Sequence, residues 1–219
     1  MLWIAGIDEV GVGALAGPMI AVAVAFPVPE SYAMNVRDML PAGKFWPLAR
    51  VKDSKKFSSK RVRSEAEAEL GDYLLSVGAE VGVGIATAEE INERSHATAY
   101  SRIMADAAAM ATLDKGITPE MLIVDGAHMI AYNGPQRAEK KADARFFHVA
   151  AASVIAKVWR DRLMEELDDE HPGYGWSRGN GYGTPEHIEA LMDIGFTRHH
   201  RKKACLTAKR NFRRKNKYK

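Results

Sequence analysis

Two acids stand together where the first apolar run closes, in Ile4-Ala5-Gly6-Ile7-Asp8-Glu9-Val10-Gly11-Val12-Gly13. A carboxylate at the end of a core strand costs several kcal/mol unless a positive group meets it. Neighbouring strand residues point to opposite faces, so Asp8 and Glu9 converge on one point only where the strand ends or twists, as the glycines allow. On this segment alone two readings stay open: a metal-binding acid pair, or an acidic turn after a strand. A third reading fails. Gly11-Val12-Gly13-Ala14-Leu15-Ala16-Gly17 loosely resembles a dinucleotide-binding loop. That loop needs a helix N-terminus at the pyrophosphate, whereas Pro18 and a second strand-like run follow here, and two carboxylates sit where phosphates would lie.

Further acids lie at other element ends. Met121-Leu-Ile-Val124 reads as a short strand of parallel-sheet type ending in Asp125-Gly126, so Asp8 and Asp125 share an edge if the two strands are neighbours. Asp143 sits at or just before the start of a long helix expected from His148 to about Asp169, whose Ile155, Trp159, Leu163 and Leu167 recur at fourfold spacing. The chain lacks a zinc-like cysteine or histidine set, and all-oxygen ligands select hard cations, so Mg²⁺ or Mn²⁺ is the expected cofactor. Two such ions roughly 3.5–4 Å apart can clamp the attacking water and the leaving oxygen of a phosphoryl displacement. Four carboxylates carry about −4 of charge; without ions, their repulsion raises at least one pKa.

The elements that must position these acids are legible in part. Met19 to Phe26 reads as a second strand, joined to the first by a turn too short for a crossover, which predicts an antiparallel pair. Residues 27–50 hold four of the nine prolines and read as a long irregular connection leading to Lys52-Asp53-Ser54-Lys55-Lys56. A helix is expected from Ser58 or Ser59 to about Val77, a strand over Val81 to Ala86, and an alanine-rich helix over about Ser95 to Leu113. Thr184-Pro185-Glu186 carries the cap, the proline and the first-turn acid of a helix start, and that helix runs to about Ile194 with Gly195 ending it.

At 219 residues the chain buries a sizeable core, and its 47% hydrophobic content is that of a globular protein. No apolar run reaches transmembrane length and the start lacks a secretory pattern, so a cytoplasmic setting and no membrane partner are expected. The single cysteine, Cys205, excludes an intrachain disulfide. The net charge of +3 hides an asymmetry: 11 of the 31 basic residues fall in residues 198–219, which hold no acid, leaving 20 basic against 28 acidic residues before them. Residues 1–197 therefore read as the catalytic domain and 198–219 as a basic C-terminal tail for a polyanionic partner, with Phe212 and Tyr218 available to stack on bases.

Six ordered motifs give the chain a family resemblance. Ile7-Asp8-Glu9-Val10-Gly11-x-Gly13-x-Leu15-Ala16-Gly17-Pro18 and Asp53-Ser54-Lys55-Lys56-x-Ser58 come first. Val124-Asp125-Gly126 and Lys141-Ala-Asp143 follow, then Ala151-Ala-Ser153-Val-Ile-Ala-Lys157-Val-x-Arg160-Asp161 and Gly181-Tyr182-Gly183-Thr184-Pro185-Glu186-His187. Together they resemble the type 2 ribonucleases H (ribonuclease HII). The resemblance implies an α/β ribonuclease H-like fold, a mixed five-stranded sheet flanked by helices with a helical C-terminal part. It implies a monomer that acts on RNA–DNA hybrid or on duplex DNA containing single ribonucleotides, cutting 5′ of the ribonucleotide to leave 3′-hydroxyl and 5′-phosphate ends. By motif, Asp8, Glu9, Asp125 and Asp143 are the catalytic metal ligands. Gly11, Val12 and Gly13 read the 2′-hydroxyl through their backbone, Tyr182 packs on the sugar at the junction, and Lys55, Ser153 and Lys157 contact or support phosphates. Arg160 and Asp161 read as a structural ion pair. A noncatalytic hybrid-binding relative is the alternative; it would need a missing acid, and all four are present.

The chain departs from this pattern at Val12, where the family usually has arginine, at Asn180, where it has lysine, and at Lys203-Ala204, where Ser-Phe is expected. Backbone reading of the 2′-hydroxyl survives the first change, while a charge-assisted phosphate contact worth ~1.5–3 kcal/mol is lost. The histidines are expected to be structural: His187 packed in its helix, His148 buttressing Asp143, His199 and His200 extending the basic surface.

Overall fold

The computed structural model describes residues 1–30 and 60–216. Lys55 and its motif, most of the 27–50 connection, the start of the first expected helix and Tyr218 lie outside the described residues. A five-stranded sheet runs in the order β3-β2-β1-β4-β5, with β1 Leu2–Val10, β2 Met19–Val28, β3 Glu80–Ala86, β4 Met121–Asp125 and β5 Gln136–Glu139. β1 pairs antiparallel with β2 and parallel with β4, which in turn pairs parallel with β5. The sheet is therefore mixed, and β1 and β4 meet the condition of being neighbours. Ile7 lies opposite Val124, so the acids that follow each stand on one edge of the sheet.

The helices are α1 Lys60–Ser76, α2 Ala88–Arg94, α3 His96–Ala111, α4 Phe147–Glu170, α5 Trp176–Gly179, α6 Pro185–Asp193 and α7 Lys202–Asn216. The alanine-rich helix α3 begins just after Ser95, close to where it is expected, and the positive φ of Ser95 separates it from α2. The hydroxyl of Thr87 accepts the Glu90 N–H and caps α2. The 184–195 helix starts and stops as its sequence predicts: the Thr184 hydroxyl accepts the His187 N–H, Pro185 opens the helix, and Gly195 takes φ +86° beyond it.

The chain divides into two compact units. One gathers Met1–Val10, the described residues between Ile20 and Gly84, and Ser101–Val158; the other gathers Gly11–Met19, Ile85–Tyr100 and the described residues from Trp159 on. In the first, two helices lie so close to the sheet that only glycine fits beneath them. A Cβ on Gly6 would collide with the backbone of His148 and Val149 in α4, and one on Gly82 or Gly84 would strike α3 carbonyls at Ala107 and Ile103. The alternation of glycine along β3 is thus a packing requirement. In the second unit, Leu15, Met164, Trp176, Leu191 and Cys205 form an apolar cluster on which Ala204, Ala208 and Phe212 of α7 also pack. The basic C-terminal segment is helical, and Phe212 faces this cluster rather than standing ready to stack on a base. Lys209 of α7 donates to the Leu191 carbonyl at 2.9 Å, filling an acceptor in the last turn of α6.

Candidate metal-binding active site

In the first unit the fold brings Asp8, Asp125 and Asp143 into one electrostatic neighbourhood. β1 does not stop at the acids but continues to Val10, with Asp8 opposite Val22 and Glu9 opposite Ala21. Asp8 is only 7% exposed. Its Oδ1 accepts the backbone N–H of Glu9 at 2.8 Å, and the hydroxyl of Ser153 on α4 donates to the same carboxylate. Ser153 thus supports an acid. Burial, reinforced by the charges of Asp125 and Asp143, pushes the Asp8 carboxyl up to about 6 against the pull of those two hydrogen bonds.

Asp125 ends β4 and organises the turn that carries Asp143. Its Oδ1 accepts the Ala142 N–H at 2.9 Å, and the N–H groups of Lys141 and Gly126 also point to it. Lys141 adopts the left-handed conformation (φ +59°), which swings the chain into the single 3₁₀ turn Ala142–Ala144 that holds Asp143 just ahead of α4. Burial first, then the Asp143 charge, raises the Asp125 pKa above the ordinary carboxylate value. Glu9 is half-buried next to Asp8; regular strand alternation aims it at the opposite face, and the charges acting on Asp8 are those of Asp125 and Asp143. Lys157 lies one turn beyond Ser153 on the same face of α4.

Another acid stands close in register yet belongs to a different environment. Glu139, on the polar strand β5 that the sequence did not reveal, is opposite Asp125. It is ion-paired with Arg137 at 2.8 Å and with Arg145. Two guanidinium groups offset the charge of Glu139, whereas the charges acting on Asp8 are negative and call for a cation. Hard oxygen donors, burial and mutual repulsion fit Mg²⁺ or Mn²⁺. Among the described residues, the ligand atoms of these acids do not form a set within 4.8 Å of one another; the set that does is Glu170, His171 and His199.

The second unit holds the glycine triplet. Gly11 takes φ +81°, and a Cβ there would overlap the Arg160 guanidinium and lie 2.8 Å from the Pro18 carbonyl. Arg160 is almost fully buried and spans three carbonyls: Nε donates to Pro18 at 3.0 Å, Nη1 to Asn180 at 2.9 Å and Nη2 to Ala16 at 3.1 Å. Asp161 adds attraction, and the three hydrogen bonds make Arg160 a clamp on loop backbone as well as a charge partner of Asp161. Arg201, equally buried, donates to Val12 at 2.9 Å and twice to Gly17. Leu15 and Ala16 N–H groups both reach the Gly181 carbonyl, and Gly13 faces the ring of Tyr182, whose edge is 3.9 Å from where a Cβ would stand. Tyr182 is 40% exposed, with the Arg160 guanidinium 5.6 Å from its ring centre. The triplet and the tyrosine are therefore one rigid assembly.

That assembly rests on a histidine pair whose tautomers follow from their partners. The Thr197 N–H donates to His200 Nδ1 at 2.9 Å, so His200 carries its proton on Nε2 and donates to His187 Nε2 at 3.1 Å. Trp176 Nε1 donates to that same nitrogen, leaving His187 Nδ1 to donate to the Tyr182 carbonyl at 2.9 Å. His200 is thus buried and not part of a basic surface; burial beside His187 pushes it down to about 4, and burial also lowers His187. His148 likewise departs from expectation: it stacks on Phe26 at 3.6 Å instead of buttressing Asp143, and burial holds it at about 3. All three titrate near 6.5 when unfolded and lower when folded, so the unfolded chain binds protons first as pH falls. The stability that these three neutral histidines contribute above about 6.5 is expected to drain away as pH falls from there to about 3, measurable as a falling contribution to the urea midpoint. His187→Gln, His200→Gln and His148→Gln together should flatten that slope.

The profile of the family described as Ribonuclease HII matches residues 5–215. The chain is 40% identical over 199 residues to the ribonuclease HII of Rhizorhabdus wittichii, covering 91% of this chain and 86% of the relative. Among solved structures it resembles the ribonuclease H2 of Pyrococcus horikoshii OT3, with a TM-score of 0.66 and 26% identity over 97% and 99% of the two chains. It also shares its fold with Bst-RNase HIII, solved in complex with Mn²⁺, at a TM-score of 0.62 and 18% identity over 95% and 71% of the two chains.

Proposed function

Because the chain belongs to the ribonuclease HII family, metal-dependent type 2 ribonucleases H, we propose that it hydrolyses RNA within RNA–DNA duplexes, including single ribonucleotides embedded in DNA, at the acids Asp8, Glu9, Asp125 and Asp143. The observation that carries this reading is Asp8 and Asp125 following neighbouring strands at one sheet edge, with Asp143 on the adjoining 3₁₀ turn acting on both and Asp8 raised to about 6. Asp8, Glu9, Asp125 and Asp143 would hold Mg²⁺ or Mn²⁺, which would activate the attacking water and neutralise charge on the leaving oxygen; the proposed cut is 5′ of the ribonucleotide and leaves 3′-hydroxyl and 5′-phosphate ends. Ser153 fixes the Asp8 carboxylate, and Asp125 fixes the turn that presents Asp143. The backbone of Gly11, Val12 and Gly13 reads the 2′-hydroxyl, which alone separates RNA from DNA at one nucleotide. Arg160 and Arg201 hold that backbone still, and Tyr182 offers an exposed ring edge to the sugar. Lys55 and Lys157 add phosphate contacts. Residues 1–197 carry the catalytic and substrate-reading side chains, with His200 and Arg201 of the following segment bracing the glycine loop, and the chain works as a cytoplasmic monomer. No described helix is long and apolar enough to cross a membrane. Cleavage of a duplex with one ribonucleotide, beside a long hybrid, in Mg²⁺ or Mn²⁺ tests the reading; intact substrate in both would reject it.

Two residues particular to this chain give separate expectations. Val12 is half-buried beside an arginine-rich surround, and Val12→Arg should strengthen binding at a single-ribonucleotide junction by roughly 10–100-fold, the equivalent of one charge-assisted phosphate contact. Measured KM for that substrate would show it; an unchanged KM would count against the missing-cation account. The basic segment 198–219 contributes through nonspecific phosphate attraction. Deleting it from Cys205 onward would remove packing as well as charge, since Cys205 and Phe212 sit in the apolar cluster. Replacing the exposed Arg210, Arg213, Arg214 and Lys215 with glutamine leaves that face intact. The slope of log affinity against log salt should then shrink by up to about 3–4, whereas an unchanged slope would show that α7 does not meet phosphates.

A further inference from the structure

Glu170, His171 and His199 each offer a ligand atom, and these atoms all lie within 4.8 Å of one another. The three residues belong to the second unit, whereas the acids that serve the reaction in the reading above belong to the first. Glu170 is the last residue of α4 and His171 continues its hydrogen bonding, its N–H donating to the Leu167 carbonyl at 3.0 Å. His199 is fixed by its main chain: its carbonyl accepts the Gly17 N–H at 2.9 Å and its N–H donates to Thr197 Oγ1. The two imidazole rings stand 5.2 Å apart at 52°, and buried Trp176 packs edge-on against both. His171 Nε2 is enclosed by protein and has no hydrogen-bond partner among the described residues, an arrangement that burial penalises. Glu89 as well as Glu170 acts on His199 electrostatically. Arg198 opposes them, its Nε donating to His199 Nε2 at 3.2 Å from an exposed side chain.

We propose that Glu170, His171 and His199 form a second metal site, selective for a borderline transition ion such as Zn²⁺ over Mg²⁺. Two imidazoles and one carboxylate are the donor set such ions prefer, and three protein ligands leave one position for water. Mg²⁺ keeps its oxygen shell and is held poorly by imidazole. Binding draws the ligand atoms together and displaces the Arg198 side chain from His199. It ties the end of α4 to the segment ahead of α7, so the ion stabilises the folded chain by mass action.

Calorimetric titration of the whole protein with ZnCl₂, in millimolar Mg²⁺ to fill the carboxylate site, tests this directly. One Zn²⁺ per chain is expected, with a rise in Tm and, for Co²⁺ in its place, visible absorption of low-coordinate nitrogen–oxygen ligation. Glu170→Gln and His199→Gln should each weaken Zn²⁺ binding by roughly tenfold or more, while their Tm in chelator stays that of the parent. Arg198→Ala should bind equally or more tightly, and Asp8→Asn should leave Zn²⁺ binding unchanged. Absence of heat and Tm shift at ~100 µM Zn²⁺, binding indifferent to both ligand variants, or binding lost with Asp8→Asn would each overturn the site.

Discussion

Asp8→Asn is expected to lower hydrolysis by roughly three orders of magnitude and, in protein freed of divalent ions, to make the fold more stable. The two effects have one cause. An ordinary aspartate titrates near 3.8, while Asp8 in the fold titrates at about 6 because it is buried among like charges. Between those values the folded chain binds more protons than the unfolded one, so stability falls as pH rises through that window, and the full cost is present above about 6. The shift corresponds to at most about 3 kcal/mol. Asparagine keeps an oxygen to accept the Glu9 N–H and the Ser153 hydroxyl, and it discards the charge. Unfolding in chelator at neutral pH should show Tm raised by several degrees, at roughly 2–4 °C per kcal/mol for a chain of this size. Near pH 4 the difference should vanish. A lower Tm at neutral pH would mean that the carboxylate is held by a positive partner and is not waiting for an ion.

Arg160→Ala should be the most destabilising single change at the glycine loop, by about 3–5 kcal/mol. Its guanidinium donates to Pro18, Asn180 and Ala16 in one plane, and Gly11 lies against it too closely for any side chain. Removal strands three carbonyls and frees the loop that carries Gly11, Val12 and Gly13. The urea midpoint should drop, and KM for ribonucleotide-containing duplex should rise. Arg160→Lys should recover little of either, because one ammonium cannot serve three carbonyls in fork geometry. Full stability of Arg160→Lys would show that charge alone matters and would restore the ion-pair reading with Asp161.

What the sequence revealed and what it hid divide along physical lines. β1, β2 and β4 are apolar runs, and their burial on both faces makes them readable; their acids break the pattern and so mark the edge where Asp8 and Asp125 meet. β5 escaped because Gln136–Glu139 is a short polar edge strand, recognisable only from its partner β4. The helix α2 had a signal, Thr87 three residues before Glu90, which the alanine-rich run after it overshadowed. Residues 202–216 read as a charged tail because seven of the fifteen are basic, and the narrow stripe of Cys205, Ala208 and Phe212 that folds them as α7 is faint against that charge. The buried placement of His200, Arg160 and Arg201 was beyond reach. Charged and polar side chains read as surface unless their partners are known, and here the partners are backbone carbonyls and another histidine far along the chain. The motifs alone single out the four acids proposed as ligands. That Asp125 builds the turn presenting Asp143 required the fold.

The most direct measurement follows a 5′-labelled duplex DNA containing one ribonucleotide through incubation with the protein in Mg²⁺ or Mn²⁺, beside Asp125→Asn and a chelator control. The account predicts a single metal-dependent cut on the 5′ side of the ribonucleotide, leaving a 3′-hydroxyl, and no product from Asp125→Asn. Cleavage that persists in Asp125→Asn or in chelator, or an intact duplex and an intact long hybrid with either ion, would contradict it.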